Sequence, residues 1–156
     1  MSYEVWADQA MDNLDASLEL FRAGKWLQSC INAQQSVEMM NKALLLKAGL
    51  PLARTHDLSQ LIAMIEEAGL HHFSAMEKRS AQVMTRTYLG SRYPVAGSES
   101  APFRLFSYMD AKDHIQWSLD NLDMLIHIDS GFCPKESRDS IQLKWDEILS
   151  AARNQI

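Results

Sequence analysis

Apolar residues recur with a helical period from the start of the chain. Between Tyr3 and Arg22, Trp6, Ala10, Met11, Leu14, Leu18 and Phe21 fall three or four residues apart, and Asp8, Asp12, Asp15 and Glu19 occupy the opposite side. This first helix stops at Ala23-Gly24. The pattern predicts a second from about Lys25 to Ala48, ending at Gly49 with Pro51 just beyond, a common stop signal. A third starts near Thr55-His56-Asp57 and carries Leu58, Leu61, Ile62 and Ile65 before Gly69, and a fourth spans Phe73 to Tyr88. The segment LGSRYPVAGSESAPFRLF is rich in serine, glycine and proline and reads as a long loop over residues 89–107, a length that in compact domains often accompanies function or disorder. A fifth helix covers about Met109 to Ile128, and Pro134 opens a last one running to about Arg153. With no strand-like alternation and no internal repeat, the expectation is an all-α, up-and-down helical bundle of about five to six helices.

The second helix departs from simple amphipathicity. At 100° per residue, Trp26, Cys30, Ala33, Val37, Met40 and Leu44 form one continuous apolar stripe. Roughly a third of a turn away, Leu27, Ile31 and Leu45 share an arc with Gln34, Glu38 and Lys42, a polar ladder at i, i+4 and i+8. Charge among apolar neighbours is costly unless it is paired or meets solvent in a cleft. Taken alone, the ladder reads as a surface Glu38–Lys42 pair worth ~0.3–0.5 kcal/mol.

Composition narrows the class. A chain of 156 residues, 47% hydrophobic and 22% charged, suits one folded domain with a sizeable core. The net charge of −5 argues against coating nucleic acid by charge alone. The charge is uneven: residues 1–22 carry five acids and one base, and residues 42–92 seven bases and four acids, so affinity for anions is expected in the middle of the chain. The acidic sides of the first and fifth helices read as solubilising faces. Cys30 and Cys133 make neither a CxxC motif nor a disulfide framework. The N-terminus MSYEVWADQAMDNLD is acidic and lacks the apolar run of a signal peptide, and no segment approaches the ~20 apolar residues that span a bilayer. A cytoplasmic location is expected, with no membrane partner.

Three motifs, in order, resemble the HEPN domain family. AQQSVEMMNKAL matches that family's second-helix pattern AxQAxEKxLKA through Ala33, Gln34, Gln35, Glu38, Lys42 and Ala43. Thr55, His56, Asp57 and Leu58 match its "tHdL" element, and Arg92, Tyr93 and Pro94 a later "RYP"-like stretch. The GKW break at residues 24–26 fits the end of its first helix. The resemblance covers roughly residues 1–130, leaving residues 131–156 as a C-terminal helix that packs on the bundle or on a second subunit. It implies a helical bundle, usually a homodimer, associated with nucleotides, with RNA or with a small nucleotidyltransferase partner. On that reading Gln34, Glu38, Lys42, His56, Arg92 and Tyr93 surround one ligand-binding cleft. Arg would grip phosphate bidentately, Lys would act as a point charge, and His56 would add to an anion site near a helix start. The same residues equally suit an internally satisfied network pinning the long loop to the bundle.

The expected function is therefore a non-catalytic binding module for a nucleotide or RNA, accessory to a nucleotidyltransferase, with no cofactor and no metal. Two alternatives stand beside it. An RNA-cleaving toxin, as in toxin–antitoxin systems, is disfavoured because the Arg-x4–6-His motif of the family's ribonucleases is absent: Arg54 and His56 are too close, Arg104 and His114 too distant. A pure interaction domain would dock a partner through the Trp6–Phe21 or Trp145–Leu149 faces.

Other constellations are weaker. Glu66, Glu67, His71 and His72 lack the di-iron spacing and read as a solvated helix end. His127 is expected to pair weakly with Asp123 on an outer face, and His114 to flank the core.

Overall fold

A computed structural model describes residues 2–91 and 99–154 of the chain. Among the described residues six α-helices follow one another: α1 Tyr3–Arg22, α2 Trp26–Lys47, α3 Leu58–Glu67, α4 Ala75–Gly90, α5 Tyr108–Ile128 and α6 Lys135–Arg153, with a 3-10 turn at Pro102–Leu105 inside the segment expected to be loop. The all-α bundle expected from periodicity is the fold observed.

Local chemistry sets the boundaries. Asp57 caps α3 by accepting from Ser59 N at 2.8 Å. Ser74 and Glu77 close a reciprocal capping box on α4, and Ser107 and Asp110 a second on α5, so each satisfies backbone donors that a helix start leaves unpaired. At the far ends of α1 and α2, Gly24 and Gly49 adopt φ of 73° and 84°. That left-handed turn lets Lys25 N reach Leu20 O at 2.9 Å and Leu50 N reach Leu45 O at 3.0 Å, which satisfies terminal carbonyls.

Helix α2 is the axis of the molecule and packs against α1, α3, α4 and α5. Fourteen of its 22 residues are buried, which is why its polar ladder could not sit on a surface. Small residues let α1 and α2 approach closely: Ala7, Ala10 and Ser17 face a helix bearing Ser29, Ala33 and Ser36. Serine hydroxyls then bridge the backbones. Ser17 Oγ donates to Ser29 O at 2.8 Å, Ser29 Oγ to Ser17 O at 2.9 Å, and Ser36 Oγ to Ala10 O at 2.7 Å.

Helix α6 docks on α1. Trp145 is 1% exposed and meets Phe21 edge-on at 4.9 Å, while Lys144 Nζ reaches Asp15 at 2.7 Å and Glu19 at 2.5 Å. Two expectations are corrected here. The acidic side of α1 is partly a seat for α6 rather than a free solubilising face, and Trp145 faces inward, so the Trp145 face does not project toward a partner. Asp123 of α5 likewise takes Arg138 of α6 in a two-point grip at 2.6 and 2.7 Å, and not His127, because a guanidinium fork matches a carboxylate better than one ring nitrogen does. None of the described helices is long and apolar enough to cross a membrane.

Candidate ligand-binding site

Glu38 is the hub of the polar ladder. Its Oε1 accepts from Lys42 Nζ at 2.7 Å, one turn further along α2, and lies 2.9 Å from His56 Nδ1. Its Oε2 accepts from Gln34 Nε2 at 3.3 Å, one turn back. The Glu38 and Lys42 side chains are only 9% and 6% exposed, whereas that of His56 is 57% exposed. The pair is thus a buried one, not the surface pair its spacing alone suggested. A carboxylate only accepts, so His56 presents Nδ1–H to Glu38 and turns Nε2 outward.

The THDL element places His56 by local bonds. Asp57 N donates to Thr55 Oγ1 at 3.1 Å, and Asp57 itself caps α3. Leu58 N donates to Thr85 Oγ1 of α4 at 3.0 Å, clipping the element to that helix. One turn beyond Thr85, Tyr88 stacks on the His56 ring, with centroids 4.8 Å apart and planes 15° from parallel. Lys42 Nζ also lies 5.8 Å from the Trp6 ring of α1, within cation–π range.

Four of the six sequence-designated residues, Gln34, Glu38, Lys42 and His56, therefore form one connected cluster. Arg92 and Tyr93 lie outside the described residues. The anion site imagined at the start of α3 is filled by the chain itself, since the Asp57 carboxylate occupies the helix N-terminus. Trp6, Thr85 and Tyr88 were missed. The only signal for the last two was their i, i+3 spacing on α4, and nothing in the sequence ties them to His56 some thirty residues earlier.

Away from this cluster, His114 is buried between α4 and α5. Its Nδ1 lies 2.7 Å from Asp110 O and its Nε2 2.7 Å from Thr87 Oγ1, and burial holds its pKa below the usual histidine value. A carbonyl accepts only, so Nδ1 carries the proton and Thr87 donates to Nε2. Burial likewise pushes the Cys30 thiol up to about 12, which makes it an unreactive core residue. Glu66 is shared by Lys78 at 3.0 Å and His72 at 3.5 Å, and no group of acids, histidines and cysteines among the described residues could hold a metal ion.

The HEPN domain family model matches residues 3–119. The chain belongs to the HEPN domain family. Among solved structures it is similar to TT1696 from Thermus thermophilus, at 24% identity and a TM-score of 0.74, over 81% of this chain and 97% of that one. It is also similar to ST0689, an archaeal HEPN homologue, at 24% identity and a TM-score of 0.65, over 85% of this chain and 99% of that one. At that identity the likeness speaks for the fold. A search of curated proteins finds no match.

Proposed function

We propose that this HEPN chain is a non-catalytic binding module for a nucleotide or RNA, accessory to a nucleotidyltransferase that supplies the chemistry. The observation that carries the reading is an exposed aromatic ring held rigidly from beneath: His56 is fixed by buried Glu38 on one edge and by Tyr88 on one face. Such a ring is a stacking surface for a base, worth ~1–3 kcal/mol per base. Arg54 and Arg86, each two residues before a member of the stack, are exposed and suited to phosphate. Lys42 is neutralised by Glu38, so its part is to tune and position the cluster. Arg92 and Tyr93 remain assigned to the same site. Residues 1–130 are taken as the binding unit, with residues 131–156 an added helix.

Thermal unfolding with AMP, GTP, ATP and short single-stranded RNAs tests this. A ligand at 100 times its Kd adds about 2.7 kcal/mol, a shift of several degrees for a chain of this size. The shift is expected to vanish in His56→Ala and Tyr88→Ala while both variants still fold. No shift with any of these ligands would leave the cluster as a structural network.

One observation favours the enzyme alternative. A histidine oriented by a carboxylate with Nε2 outward is the arrangement a general base needs. RNA cut by the wild type and left intact by His56→Ala would move the assignment to an RNA-cleaving toxin. A homodimer is the expected assembly. Light scattering should give twice the 17.7 kDa of one chain, and the mass of a single chain would refute it.

A further inference from the structure

A cavity opens between α2, α3, α4 and α5, and shares no lining residue with the Glu38 cluster. It has a volume of about 160 Å³ and is walled by Leu58, Phe73, Met84 and Trp117. A cavity of roughly 150 Å³ with apolar walls holds a benzene ring. Asn41 of α2 also lines the cavity and is 0% exposed. Its Oδ1 accepts from Asn121 Nδ2 at 3.2 Å, and Asn121 directs the same amide toward Met40 Sδ at 3.7 Å. In this arrangement Asn121 takes up Asn41 Oδ1. Asn41 Nδ2 is left buried with no hydrogen-bond partner. Buried donors in native proteins are nearly always paired, and one left orphaned beside a cavity lacks an acceptor.

We propose that this cavity is a binding site for a small neutral ring compound bearing a carbonyl oxygen, of the aromatic amide or lactam class. The ring fills the apolar walls and the carbonyl oxygen accepts from Asn41 Nδ2. Glu77 and Asp120 stand among the lining residues and repel an anion of the same shape. The site rests on Asn41 and the cavity alone, and holds whether or not His56 binds nucleotides.

The test is a titration of the full, isotope-labelled chain with benzamide, benzoate and toluene, followed by nuclear magnetic resonance at the Asn41 side-chain amide. Benzamide is expected to give a saturable shift there, and benzoate to bind at least tenfold more weakly. Asn41→Leu should weaken benzamide at least tenfold and leave toluene unchanged. Ser80→Phe, at a lining position half-exposed on α4, should fill the cavity and remove binding of both neutral probes, which keeps the test available if Asn41→Leu does not fold. The proposal is overturned if benzamide leaves the Asn41 amide of the folded wild type unmoved, if Asn41→Leu binds it as tightly as the wild type, or if Ser80→Phe folds and still binds it undiminished.

Discussion

A single carboxylate decides the character of the site. Glu38 meets an ammonium, an imidazole and an amide at once, and its burial forbids water from replacing any of them cheaply. Removing one partner of a buried pair typically costs about 3–5 kcal/mol, because the other charge is left uncompensated. Glu38→Gln should therefore lower stability by about 3 kcal/mol or more in urea titration, while the double change Glu38→Met with Lys42→Met should recover most of that loss. Both variants should weaken ligand binding at His56, whose ring loses its anchor. His114 makes a separate prediction. Burial lowers its pKa in the folded state from about 6.5, with the nearby Asp110 and Asp113 opposing that shift only in part. The unfolded chain then binds a proton that the folded chain refuses. By linkage this contribution to stability is fully present above about pH 6.5 and is lost as pH falls toward the depressed folded value. His114→Gln should flatten the fall in Tm on the acid side of neutrality. An unchanged slope in that variant would mean that other groups carry the acid sensitivity.

At the scale of elements, α2 and α6 show two opposite departures from an ordinary amphipathic helix. Helix α2 is enclosed on most sides, so its polar residues are satisfied internally: serines against neighbouring backbones, Glu38 against Lys42, and Asn41 only in part. Helix α6 is amphipathic in the usual way, but what it covers is the Phe21 end of α1. Phe21 sits within 5.2 Å of Trp26, 5.1 Å of Tyr108 and 4.9 Å of Trp145, a cluster that ties the last helix to the first hairpin and to the start of α5. Trp145→Ala should cost about 3–5 kcal/mol and reduce the urea midpoint accordingly. A loss below about 1 kcal/mol would mean that α6 is held by its surface ion pairs, which are usually worth less than that each.

For the whole molecule, the sequence made the fold legible because a bundle is written in a local code. Helix periods, the glycines at 24, 49 and 69, and Pro51 and Pro134 each act within a few residues, and they placed the six described helices to within a residue or two of where they lie, apart from the start of α3, expected from Thr55-His56-Asp57 and found at Leu58. Gln34, Glu38 and Lys42 were legible as a ladder for the same reason, since one turn of helix brings each beside the next. What the tertiary structure decided is everything that depends on a neighbour distant in sequence. It buried the Glu38–Lys42 pair by wrapping α2, stacked Tyr88 on His56, turned Trp145 inward and gave Asp123 to Arg138 rather than His127. Periodicity tells which residues share a side of one helix. Which other helix meets that side is set by packing of the whole chain, and the chemistry at Glu38 and Asn41 exists only because of that meeting.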